Sequence, residues 1–325
     1  MEREKTPLYR ALSMCIYGGI IGDAFGVPYE FLERGTFRAE TMTGNGSYNQ
    51  PVGTWSDDSS MTLCLLDNLT EGGSLNELLD KFMNWFEKGA YTPHGIAFDI
   101  GNTTRNAILR HKLGVSPQYC GDIDEHTNGN GSLMRIAPLV FILRNENDFS
   151  VRVQTVKEYS EITHKHPRSV LACIIFIEVL RNILKGDTLE IAVQKASDTC
   201  QTRLRGTEYE AEFKQYRRIF SGEIKNATID TVNSSGYVVH TLEAALWSCF
   251  QSSSFKEVII TAVNLGEDTD TVGAVAGNIA GLLYCRKEEL PADWYSAIVR
   301  KEYIDTIING FYDSLKEALI NSIEN

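Results

Sequence analysis

Apolar residues recur at helical spacing over most of this chain, and that period constrains the fold more than any other feature of the sequence. From Ser74 to Lys88, Leu75, Leu78, Leu79, Phe82 and Phe86 line one helix face, Ser74 and Glu77 form a capping box, and Gly89 ends the turn. Thr6-Pro7 opens a second helix in cap-then-proline order, with Leu8, Leu12, Cys15, Ile16 and Gly19 inward, running into Gly22-Asp23. A third follows Pro167 and is apolar on most sides until Gly186-Asp187, as expected of a central helix. Residues 188–200 and 206–220 read as more exposed helices, and 241–265 and 271–284 as two long apolar ones. The richest β-branched run, Val258-Ile259-Ile260, lies inside a helical pattern. With no repeat or linker dividing it, the chain is expected to be all-α: one compact multi-helix orthogonal bundle over residues 1–325.

Two acidic clusters interrupt apolar stretches where helices begin: Ser56-Asp57-Asp58-Ser59 and Asp268-Thr269-Asp270-Thr271. Ser, Thr and Asp are favoured helix caps, but a cap uses one side-chain oxygen, and adjacent carboxylates repel. Converging carboxylates and hydroxyls are the ligands that hard cations such as Mg²⁺ take, and a pair of such ions about 4 Å apart needs four or more carboxylates. The metal reading requires the two clusters to meet in space.

Charge and cysteine content narrow the partners. Against 31 Lys+Arg stand 43 Asp+Glu, a formal charge of −12 with no basic run, so no nucleic-acid or anionic-membrane surface is expected. Seven scattered cysteines without a CxxC pair fit reduced core thiols. Residues 1–10 lack an apolar secretory core, and a cytoplasmic location is expected.

Between the clusters lie polar islands that a plain bundle has no need of. Gly22-Asp23-Ala24-Phe25-Gly26-Val27-Pro28-Tyr29-Glu30 combines glycines that permit close backbone approach with a glutamate after a Pro-restricted turn. Asp99, Gly101 and Asn102 stand at a helix start, and Gly129-Asn130-Gly131-Ser132 reads as a ligand loop or a plain turn. His164 and His166, two apart, do not share a helix face and do not make a zinc pair; stacking on a ligand or hydrogen-bonding the loop suits His164 better.

Taken in order, GDAFGVPYE at 22–30, TWSDDSSM at 54–61, GNTTR at 101–105, GNGSLMR at 129–135, THKHP at 163–167 and GEDTDTVGA at 266–274 resemble the ADP-ribosylglycohydrolase family over nearly the whole chain. The resemblance implies an all-α fold with a dimetal cleft holding two Mg²⁺ (or Mn²⁺), where ADP-ribose is released from an ADP-ribosylated protein or small-molecule acceptor, arginine first among them. By position it implies Ser56, Asp57, Asp58, Asp268, Asp270 and Thr271 as metal ligands and Glu30 near the scissile bond. Asp99, Gly101 and Asn102 would surround the distal ribose, Gly129 to Ser132 the diphosphate, and His164 would lie near the substrate. Ser56 and Ser59 stand where many members carry Thr and keep the hydroxyl.

Two cations would anchor the ribose hydroxyls and supply a water of lowered pKa, while Glu30, Asp57 and Asp58 are the candidates for proton transfer at an oxocarbenium-like transition state. A dimetal phosphohydrolase cutting the diphosphate fits less well, because no lysine, arginine or His-Asp dipeptide accompanies the acidic motifs at 54–61 or 266–274. A non-catalytic ADP-ribose binder would not need four converging carboxylates.

Overall fold

Helix signals decide the architecture: residues 6–286 and 289–324, which this computed structural model describes, form fourteen α-helices and no β-sheet. They are α1 (Pro7–Gly26), α2 (Asp57–Thr70), α3 (Leu75–Lys88), α4 (Asn102–Lys112), α5 (Leu139–Leu143), α6 (Phe149–Glu161) and α7 (Pro167–Leu184). The second half adds α8 (Leu189–Arg203), α9 (Arg217–Phe220), α10 (Val238–Phe250), α11 (Phe255–Val263), α12 (Thr269–Tyr284), α13 (Ala292–Ala297) and α14 (Lys301–Glu324).

The expected caps are in place. Thr6 Oγ1 accepts from the Tyr9 N–H at 3.1 Å with Pro7 behind it, and the Ser74–Glu77 box closes reciprocally before Gly89 turns left-handed at φ +67°. α7, capped by His166, is buried along most of its length and packs against α5, α6, α8, α10 and α12, so it is the central helix that its sequence suggests. All seven cysteines are buried free thiols.

The axis of the fold is the antiparallel pair α1 and α12. Gly18 lies against Gly277, Gly22 against Gly273, Gly26 against Asp270, and Gly281 against Met14; a Cβ on any of these glycines would overlap the facing backbone. Small residues therefore let two helices touch main chain to main chain, closer than the usual 8–10 Å between axes. By length and composition alone α1 would pass for a membrane span, but it is packed inside this fold. The antiparallel arrangement brings the C-terminal half of α1, with Asp23, beside the N-terminus of α12, with Asp268 and Asp270. α2 packs alongside against α14, α3 and α1.

Two expected helices are corrected. Residues 206–220 are not a continuous helix: Gly206 is left-handed at φ +78°, only Glu210–Glu212 and Arg217–Phe220 are helical, and the stretch is pinned by buried Tyr209 and Tyr216. Tyr216 donates to the Arg168 carbonyl at 2.7 Å, a tertiary anchor that outweighs local propensity. The stretch 241–265 breaks into α10 and α11 because Ser254 accepts from the Glu257 N–H while Glu257 accepts from Ser253, starting a new helix.

Candidate functional site

The two acidic clusters meet at the N-termini of α2 and α12. Ser56 caps α2: its Oγ accepts from the Asp58 N–H at 3.4 Å and donates to Asp58 Oδ2 at 3.1 Å, which fixes Asp57 and Asp58 in the first turn. Thr271, on α12, donates to the same Oδ2 at 3.3 Å. Asp268 makes no side-chain cap bond; its Oδ2 accepts instead from the Asn130 amide at 2.6 Å, and that amide also donates to Thr241. The loop Ser234–Tyr237 knits these parts together, since Asp268 N–H donates to Ser234 O and Asn130 N–H to Gly236 O, each at 3.1 Å.

Asp23, which lies in the GDAFGVPYE segment but has no role that the sequence assigns, anchors the far side of α2. Its buried carboxylate accepts from the N–H groups of Ser56 (2.9 Å) and Ser59 (3.1 Å) and from the Ser59 hydroxyl. It therefore acts as an external cap that pins the start of α2 to α1. Burial pushes its pKa up to about 7, against the pull of the Ser59 and Ser56 donors.

A second acidic group sits beside the first: Glu30, Asp99 and Asp270 each bring a carboxylate oxygen within 4.8 Å of the others. Tyr48 donates to Asp99 Oδ1 at 2.6 Å, another residue missed in the sequence, where a lone tyrosine carries no pattern. Burial, and next to it the Asp99 charge, pushes Glu30 up to about 10. Burial likewise raises Asp57, Asp58, Asp268 and Asp270, with neighbouring carboxylates adding to the shift.

Backbone strain collects at the same place. Phe31, Asp99 and Glu267 all take left-handed conformations, with φ of 65°, 57° and 62°. Phe31 and Glu267 are locked by reciprocal bonds, Phe31 N–H to Glu267 O at 2.7 Å and Glu267 N–H to Leu32 O at 2.8 Å, so the segment carrying Glu30 is tied to the segment carrying Asp268. Non-glycine residues at positive φ cost about 1–3 kcal/mol each and persist where the surroundings enforce them.

Three further islands converge at Gly131. A Cβ there would crowd Thr104 Oγ1 of α4 and the His164 ring, so the glycine joins the 101–105, 129–132 and 163–167 segments. His164 is buried, its Nδ1 paired with Thr163 Oγ1 at 2.9 Å, and burial lowers its pKa to about 3, leaving a neutral ring behind the loop. Gly129 forms an isolated bridge with Tyr237. The Ser132 hydroxyl, in contrast, turns into the core against Ser160 and Cys173, and Gly101 and Asn102 are exposed at the start of α4.

The donor set fits hard cations. Glu30 Oε2, Asp58 Oδ1 and Asp270 Oδ2 are buried and accept no hydrogen bond from any described residue. Each such orphaned oxygen costs about 1–3 kcal/mol or more when charged, a cost that a ligated cation removes. Carboxylates and hydroxyls without a thiol are the ligand set of Mg²⁺ or Mn²⁺.

A sequence profile of the ADP-ribosylglycohydrolase family matches residues 4–320. The chain is 33% identical over 303 residues to the ADP-ribosylarginine hydrolase Tri1 of Pseudomonas putida, covering 92% of this chain and 76% of that one. It is 28% identical over 294 residues to the ADP-ribosyl-dinitrogen reductase glycohydrolase of Rhodospirillum rubrum, covering 87% of this chain and 88% of that one. Its fold superposes with a TM-score of 0.79 on a solved structure of an ADP-ribosylglycohydrolase-related protein complex, at 30% identity over 97% of this chain and 100% of the other.

Proposed function

The chain belongs to the ADP-ribosylglycohydrolase family, and from that premise we propose that it is a Mg²⁺- or Mn²⁺-dependent hydrolase releasing ADP-ribose from ADP-ribosylated arginine. The observation that carries the metal reading is the set of orphaned buried oxygens on Glu30, Asp58 and Asp270 inside a ring of acids from both halves of the chain. Arginine as acceptor is supported by the similarity, at 33% identity, to two proteins named ADP-ribosylarginine hydrolase.

Ser56, Asp57, Asp58, Asp268, Asp270 and Thr271 would hold the ions, with Asn130, Thr241 and Asp23 orienting them from behind. Cations held by these residues would supply a water of lowered pKa and offset the carboxylate charge. Glu30, whose proton is held by burial and by Asp99, is the group that passes a proton at the scissile bond. Asp99, oriented by Tyr48, accepts a ribose hydroxyl. The Gly129–Ser132 segment, where Gly131 lets His164 and Thr104 pack directly against the loop, would take the diphosphate in this reading.

The test is mass spectrometry of the products from arginine- and serine-ADP-ribosylated substrates, with Mg²⁺ and with chelator. Free ADP-ribose from the arginine substrate, only with metal, is expected. AMP with ribose 5-phosphate would replace this reading with a phosphohydrolase, and release from serine alone would overturn the acceptor.

A further inference from the structure

A second site lies at the other end of the α1–α12 pair. A cleft of about 650 Å³ opens there between the start of α1, the ends of α5 and α7, and the end of α12. It is within the size range of small-molecule sites. Five cations line it, Arg10, Arg144, Arg181, Lys185 and Arg286, and none of its described lining residues is acidic. From Asp270 to Cys285 the helical rise of α12 spans about 22 Å, so the cleft is no part of the acidic centre.

Arg10 is engaged, donating to the Cys285 carbonyl and pairing with exposed Glu289 at 2.6 Å. The other four have no carboxylate partner among the described residues. Arg181, buried, donates through Nε to Leu143 O at 3.2 Å and through Nη2 to Glu146 O, and Arg144 donates through Nη1 to Phe141 O. These bonds cap helix ends, yet a guanidinium has five donors, and each keeps N–H groups to spare while its plane is held in position. Burial disfavours the charge on Arg144, Arg181 and Lys185, and for Arg181 and Lys185 neighbouring arginines add to it while Glu178, and for Arg181 also Glu146, offset part of it. In a chain of charge −12, unpaired cations gathered in a hollow are a cost that an anion removes.

The floor between the cations is apolar, formed by Leu8, Ile183 and Leu282, and past Arg286 it meets an adjoining hollow lined by Phe250 and Tyr284 and by Asp187 and Glu190, whose charges are paired with Lys195 and Lys225. A bare inorganic anion would leave that surface uncovered. We propose that this cleft binds a phosphorylated small molecule of nucleotide size, its phosphates on Arg144, Arg181, Lys185 and Arg286 and its apolar ring system on the floor.

Isothermal titration of the full chain with ADP and with inorganic diphosphate, both in excess chelator, tests this. The exposed pair Lys185→Glu/Arg286→Glu is compared with Lys214→Glu/Arg205→Glu, an exposed double reversal of the same charge that lines no part of the cleft. ADP is expected to bind the parent more tightly than diphosphate does, to weaken about tenfold or more in the first variant, and to be unchanged in the second. Amide hydrogen exchange is expected to slow at 181–186 when ADP is added to the parent. No ADP binding in chelator, equal loss in both double variants, or diphosphate bound as tightly as ADP would each overturn the proposal. Binding at the acidic centre would be indifferent to Lys185 and Arg286, so failure here leaves the hydrolase reading untouched.

Discussion

Thr271 donates a hydrogen bond to Asp58 across 213 positions of the chain, at 3.3 Å. One bond thus joins the first turns of α2 and α12, and the acids on both helices belong to a single cluster.

Asp58 and Asp270 are the proposed cation ligands of that cluster, one on each helix. Asp58→Ala and Asp270→Ala are expected to lower Mg²⁺-dependent turnover by about 10³-fold or more with the far-ultraviolet helical signal retained. Turnover near that of the parent in both variants would refute the metal assignment.

Asn130 acts one layer further out, holding Asp268 Oδ2 at 2.6 Å. Asn130→Ala is expected to weaken Mg²⁺ binding about 10- to 100-fold, read by calorimetric titration, since outer-layer donors orient ligands to that extent. An unchanged affinity would mean that Asp268 needs no such support.

Removal of metal carries a pH signature. The ordinary values of Glu30 and Asp23 are 4.5 and 3.8, and burial raises them to about 10 and about 7. The metal-free fold favours their protonated forms, so its stability is greatest below the ordinary values and is lost as pH rises through the raised ones. Burial also favours the protonated forms of Asp58 and Asp270, the proposed ligands, so Mg²⁺ would have to displace those protons, and the gain in melting temperature on adding it should be larger at pH 8 than at pH 6. A gain independent of pH would contradict the shift.

His164 has the opposite sign. Burial, and then Arg135, lowers it from 6.5 to about 3, so its contribution to stability is complete above 6.5 and is lost as pH falls toward 3. The limiting slope for one proton is about 1.4 kcal/mol per pH unit. His164→Asn should flatten the acid limb of a denaturation series by up to that amount; an identical limb would show that the acids alone govern it.

Gly22→Ala places a Cβ on the Gly273 carbonyl. With backbone on both sides there is no rotamer to move, and a loss of about 2–4 kcal/mol is expected by chemical denaturation. A loss below 1 kcal/mol would show that the helices slide apart at little cost.

Much of this was legible in the residues, and the remainder was hidden for identifiable reasons. The Ser74–Glu77 box and the Thr6-Pro7 start are local signals whose physics acts within a turn or two, and each took the expected form; the glycines of α1 signalled close backbone approach, though not its partner α12. The paired acidic clusters were readable because capping needs one oxygen and each cluster offered more. Asp23 was not, since a single aspartate within an apolar helix has meaning only once Ser56 and Ser59 fold against it. Tyr48 and the Ser234–Tyr237 loop escaped for the same reason, their roles being set wholly by distant partners. The break before α11 does leave a local signal: Ser254 and Glu257 have capping spacing inside the apolar stretch 241–265.

The glycine seam between α1 and α12 also bears on which ions the centre can admit. Side chains in a soft interface would let the walls spread for a larger guest, but backbone against backbone sets a fixed gauge between Asp23 and Asp270. Were cations held there as proposed, a fixed gauge would sort them by radius, favouring the short, near-octahedral bonds of Mg²⁺ or Mn²⁺ over the longer bonds and higher coordination of Ca²⁺.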